Sequence, residues 1–202
     1  MKVNFKLMGM LLGGLVVLGS LAACSKDNED SKPSTQASSV RVSYYANISE
    51  ELLDVANVMV RFIGDNGQVA SEQMSATTWT KTVTIALPAK AGLSIQPTLK
   101  GPVAEGEYTI AAMGLMGYEW LDENGQKQKE GSPESTPVLA AELYASGVPS
   151  YINVIGTDCH VERALDKDYG VKDTTIDWGT NTGDNNTQNT GISEEGATGD
   201  NR

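Results

Sequence analysis

From Ser39 onward, apolar and polar residues alternate with the two-residue period of a β-strand. Val40, Val42, Tyr44, Ala46 and Ile48 interleave with Arg41, Ser43, Tyr45 and Asn47, which assigns one face of the segment to a core and the other to water. The same alternation returns at Val58-Val60-Phe62, Val83-Ile85-Leu87 and Leu93-Ile95-Leu99. The stretch from Tyr108 to Met116 is apolar on both parities, the pattern of a central strand covered on both faces. Asp65-Asn66-Gly67 and Asp122-Glu123-Asn124-Gly125 supply the residues that tolerate positive φ in hairpin turns, and a more polar returning segment follows each. Pro88 with Gly92, Gly101-Pro102 and Gly131-Ser132-Pro133 interrupt the chain again, giving about seven or eight strands at the spacing of a sandwich. The expected fold is all-β, a single antiparallel sandwich.

Two stretches break the period. Ser49 is placed to cap one helical turn at Glu50-Glu51-Leu52-Leu53, although Leu52 stands where a capping box would carry Glu or Gln. Pro137 to Tyr144 opens with a proline suited to a helix start and ends before Gly147, and a short helix or a strand fits equally. The sandwich is expected over residues 39–178. Residues 179–202, rich in Asn, Thr and Gly, lack aromatic residues beyond Trp178 and are expected to stay outside the fold as a disordered tail.

The N-terminal residues 1–23 have the layout of an export signal: Lys2 and Lys6, an apolar run from Leu7 to Leu18, then Gly19-Ser20-Leu21-Ala22-Ala23-Cys24. Small residues immediately before a cysteine resemble a lipobox. That resemblance implies cleavage before Cys24, a lipid on its thiol and an anchor in a membrane. A retained transmembrane helix is the alternative, and the glycines and Ser20 disfavour it. Residues 24–38 are an acidic, apolar-poor tether. Its Asp27, Glu29 and Asp30 resemble the surface-export signal of Bacteroidetes-type lipoproteins, which implies the outer membrane and an outward-facing protein. The full chain carries a formal charge of −11, and losing Lys2 and Lys6 makes it more acidic still. No basic run is present, so nucleic acid is excluded as a partner.

Chemistry-bearing constellations are sparse. The chain has one histidine and two cysteines. Cys159-His160 falls short of a zinc site, and as neighbours on a strand they point to opposite faces, which defeats a thiolate–imidazole pair. With Cys24 lipidated, Cys159 has no disulfide partner. No G-x-S-x-G, Walker or dinucleotide motif occurs. Glu105, Glu107, Glu119, Asp122 and Glu142 are acids expected to face water, and neither Asp65-Asn66-Gly67 nor Asp122-Glu123-Asn124-Gly125 has calcium-loop spacing. No enzyme activity, metal or cofactor is expected.

Aromatic residues near strand ends are the remaining lead. Tyr118 and Trp120 precede the second hairpin, with Trp79, Tyr144, Tyr151 and Trp178 near other ends. Clustered and exposed, they would stack sugar rings; buried, they would plug the core. Asp173-Thr174-Thr175 resembles the short motif at which Bacteroidetes-type secreted proteins are O-glycosylated, implying Thr174 as acceptor. The segment Ser49 to Phe62, closed by Asp65-Asn66-Gly67 and followed by Thr78-Trp79-Thr80-Lys81-Thr82-Val83, resembles small Bacteroidetes-type surface lipoproteins of unassigned function. The likeness covers roughly Val40 to Leu99 and implies an immunoglobulin-like sandwich. The function expected is a lipid-anchored binding or accessory module that contacts a glycan or a cell-surface protein. The alternative is a structural subunit of a surface or fimbria-like assembly, which a long unprotected edge strand would favour.

Overall fold

A computed structural model describes residues 36–179; Cys24, the tether before residue 36 and the tail from residue 180 lie outside the described residues. The chain folds as two antiparallel sheets laid face to face. One contains β1 (Ser39–Ile48), β4 (Thr78–Ala86), β6 (Glu107–Leu121), β7 (Lys127–Glu130), β8 (Glu134–Ser135) and β9 (Leu139–Tyr144). In it β1 lies between β4 and β6, and β7, β8 and β9 pair with successive stretches of β6. The other sheet runs β11-β10-β5-β2-β3, from β2 (Ala56–Ile63), β3 (Val69–Gln73), β5 (Ala89–Leu99), β10 (His160–Leu165) and β11 (Val171–Asp173).

The period-two positions form the layer between the sheets. Val40, Val42, Tyr44, Ala46 and Ile48 are buried against Val58, Val60, Phe62, Leu93 and Ile95. Val83, Ile85 and Leu87 join the same core. The Tyr44 hydroxyl in this layer is satisfied across it, donating to the Ile63 carbonyl at 3.0 Å. The sheets approach closely at Gly114, where a Cβ would lie 2.6 Å from Leu93 Cδ2.

The all-β sandwich is therefore present, but its strand order is not the A-B-E-D and C-F-G order of a constant-type immunoglobulin domain. The first strand pairs with the fourth and sixth, and the second with the third and fifth. Each of the first five strands lies in the opposite sheet from its successor, save the β2–β3 hairpin.

Both Asn-Gly turns close hairpins in the same way. Gly64 N–H donates to Gln68 O and Gly67 N–H to Gly64 O, each at 2.9 Å; Asp122 N–H donates to Gln126 O and Gly125 N–H to Asp122 O, each at 3.0 Å. Only the glycines take positive φ, 73° and 75°, so each is a type I turn closed by a glycine bulge. Helix α1 (Glu50–Val55) forms where Ser49 caps it, the hydroxyl accepting from Leu52 N–H at 3.3 Å. Pro137 leads into strand β9, which resolves that segment as a strand.

Two expectations about coverage change. β6 is central in its sheet, yet from Ile110 to Trp120 only its even positions are buried and Leu115 faces outward. The strand covered on both faces is β5, buried continuously from Ala91 to Pro97. Helix α2 (Val148–Asp158) packs against it. The segment after β11 lies over it too: a Cβ at Gly92 would stand 2.5 Å from Ile176 Cδ1 and 3.1 Å from Trp178 Cη2.

Candidate functional site

The aromatic residues do not gather into an exposed platform. Trp120 retains 1% and Tyr118 3% of their accessible surface, which corrects the reading of these two as ligand-stacking rings. They meet edge to face at 5.3 Å, and Trp120 meets Tyr169 at 5.8 Å. The Trp120 indole N–H donates to Asp166 O at 3.0 Å, and Lys129 Nζ lies 5.7 Å from its ring centroid. Their even parity on β6 places them inward, and the β6–β7 hairpin covers the Tyr118 ring at Gly131. Trp79 packs on Phe62 at 5.2 Å, Trp178 is held on the outer face of the other sheet, and Tyr144 stands exposed on β9.

The other residues of interest are dispersed as well. Cys159 caps the C-terminus of α2, fully buried, its thiol 3.4 Å from Thr136 Oγ1. Burial pushes that thiol up from its ordinary value. His160 is exposed on the opposite side, its Nδ1 2.9 Å from Thr157 O. Among the described residues no group of three or more His, Cys, Asp or Glu side chains is placed to hold a metal ion. Asp122 is occupied with its turn, its Oδ1 accepting from Asn124 and Gln126 N–H groups at 2.9 and 2.8 Å. Glu119 is bridged by Lys127 at 2.9 Å and Arg41 at 3.1 Å, and the hydrogen bond from Lys127 does most to hold its carboxyl below the ordinary value. Glu107 and Glu142 flank Tyr144 in a shallow cleft of about 400 Å³. Thr174 is half-buried just after β11, beside Asp173, which pairs with Arg163 at 3.2 Å. A second open cleft of about 500 Å³, at the strand ends near Asp65, Lys90 and Asp177, has no aromatic lining.

What the fold does assemble is an edge. Five of the six edge strands are short or charged: β3 has five residues, β8 two and β11 three, β7 reads Lys-Gln-Lys-Glu, and β9 has six residues including Glu142. Such edges resist pairing with another chain. β4 differs. It has nine residues, without Pro or Gly, and pairs without a bulge along β1 only, among the described residues.

The hydrogen-bond phase of β4 follows from its two ends. Ile48 N–H donates to Thr77 O at 2.9 Å and Leu87 N–H donates to Ser38 O at 3.0 Å. Odd-numbered residues therefore exchange bonds with β1, and Thr78, Thr80, Thr82, Thr84 and Ala86 aim their N–H and C=O groups away from the sheet. The same residues expose their side chains, so every outward position but the last is a β-branched hydroxyl residue. The one charge on the strand, Lys81, points inward. Its ammonium binds Glu72 Oε1 at 2.7 Å, and the Trp79 indole N–H donates to Glu72 Oε2 at 2.9 Å. An inward lysine would ordinarily deter pairing along an edge; here Glu72 neutralises it.

Comparison with known protein families, with curated proteins and with solved structures finds no match to this chain. Sequence reasoning missed this site because it searched for reactive groups, although the signal was present: threonine at every second position from Thr78 to Thr84. It also passed over α2, whose Val148, Ile152 and Ile155 have helical spacing, with Pro149 in the first turn.

Proposed function

We propose that this protein is a non-catalytic, lipid-anchored surface module that joins a protein partner by adding a strand along β4, as a structural subunit of an assembly does. The observation that carries the reading is the nine-residue edge, whose outward backbone groups run in phase and carry no outward charge. Main-chain hydrogen bonds supply the affinity in such strand addition, and alternate side chains supply the selectivity. Anchoring rests on the lipobox ending at Cys24, and outward display rests on the acids that follow it. A glycan-binding role loses support with the burial of Tyr118 and Trp120.

The test places a photo-crosslinking amino acid at Thr80 on intact cells, with the same group at Gln128 on β7 as a surface control. Capture of a defined polypeptide from Thr80 alone is expected, and Thr82→Pro should abolish it, because that substitution removes an outward N–H while leaving the β1 ladder intact. Identical capture from both positions, or capture indifferent to Thr82→Pro, overturns the reading. Metabolic labelling with a fatty-acid analogue checks the anchor: Cys24→Ser should lose the label.

A further inference from the structure

Resting on that strand-addition reading, we infer that the partner of β4 is β4 of a second copy, the two strands meeting antiparallel about a two-fold axis at Thr82. In that register Thr82 faces its counterpart, Thr80 faces Thr84 of the second copy, and Thr78 faces its Ala86. All of these residues aim their backbone groups outward, so each outward N–H meets a C=O and each C=O an N–H. The exposed face then carries threonine opposite threonine, a favourable cross-strand pair.

The inner face is compatible too. Trp79 comes opposite Ile85 and Lys81 opposite Val83, so the only cation of the strand does not directly face itself. Each Lys81 also keeps its own Glu72 at 2.7 Å, and the seam buries no unpaired charge.

Charge favours a copy of this chain at this place over any other. Two molecules of this acidic chain, −11 before any cleavage, repel when they approach. Among the edge strands, β4 alone is long and brings uncharged threonine to the seam, whereas β7, β9 and β11 each carry Lys, Glu or Asp side chains. A two-fold pairing also closes on itself: it consumes both β4 edges and stops at a dimer.

Site-specific disulfide formation in the full-length protein tests the register. In the two-fold pair the Thr82 Cα atoms lie about 5.5 Å apart, within the range a disulfide bridges, whereas Thr78 and its copy stand roughly 27 Å apart along the seam. Under mild oxidation Thr82→Cys should therefore give covalent dimer, and Thr78→Cys should not. A mixture of Thr78→Cys and Ala86→Cys should give the hetero-dimer. The parent protein, with Cys24 and Cys159, sets the background. In sedimentation, Thr82→Lys should weaken the wild-type dimer about tenfold or more without lowering the melting temperature. A wild-type monomer together with equal, background-level crosslinking of Thr82→Cys and Thr78→Cys overturns the inference. If the Thr80 crosslinker then still captures a different polypeptide in a manner sensitive to Thr82→Pro, strand addition stands and only self-pairing fails. If it captures nothing, both fail.

Discussion

Trp120 illustrates how much depends on which side of one strand a residue faces. A ring that would be a sugar platform on the outer face is, on the inner face, part of the wall between β6 and the turn at Asp166. Trp120→Ala should therefore cost about 3–5 kcal/mol of stability in chemical denaturation; a near-neutral variant would contradict the burial. Cys159 is shielded in the same manner. With its thiol buried and its ionisation pushed upward, the thiolate needed for alkylation is scarce and inaccessible. Iodoacetamide should modify it only after denaturation, as intact mass will show.

Glu72 sets the pH behaviour of the β3–β4 corner. Hydrogen bonds, first from Lys81 and then from Trp79, hold its carboxyl below its ordinary value of 4.5. A carboxylate lowered in the folded state stabilises that state above the unfolded value, and the contribution is lost as pH falls through the folded value. The melting-temperature difference between wild type and Glu72→Gln should thus be present at about pH 7 and shrink toward about pH 3. A difference that stays constant across that range would show that the clamp does not titrate.

Among the elements, the strands whose side chains alternate cleanly were legible because a half-buried strand imprints its two environments on successive residues. β1, β2 and β4 follow that rule, and Ile85, 4% exposed on β4, falls on the inner face as its parity requires. Ile85→Ala should cost about 2–5 kcal/mol, and a loss below about 0.5 kcal/mol would place β4 in another register. The turns were legible for a different reason, since Gly67 and Gly125 relieve a local steric restriction that no distant contact alters. β5 and β6 were not. Whether an apolar outer face is covered depends on α2 and on the segment at Ile176, which reach β5 from elsewhere in the chain. The cover over β5 is tight: at Gly92 a Cβ would also stand 2.9 Å from Val161 O, a backbone atom that cannot step aside. Gly92→Ala should accordingly destabilise by about 1–3 kcal/mol, measured by denaturant midpoint.

At the scale of the whole molecule, edges and ends decide what the sandwich can do. The segment after β11 is strapped to the outer face of its sheet: Glu162 accepts from Ile176 N–H at 3.0 Å and from the Trp178 indole. Arg61 donates to the Trp178 carbonyl, and Lys90 donates to Thr175 O at 2.8 Å. The other sheet has no such strap over β4 among the described residues, and its edge is the one long run of outward backbone groups. Composition and local pattern by themselves determined the β character, the hairpin turns, the cap at Ser49 and the absence of recognised catalytic motifs, because each depends on neighbours a few residues apart. Tertiary structure alone decided that Trp120 is wall and not platform, that β5 is doubly covered, and that a threonine-lined strand stands at the edge. These outcomes depend on which strands pair. Pairing is settled by burial summed over the whole core, to which residues far apart in the chain contribute together.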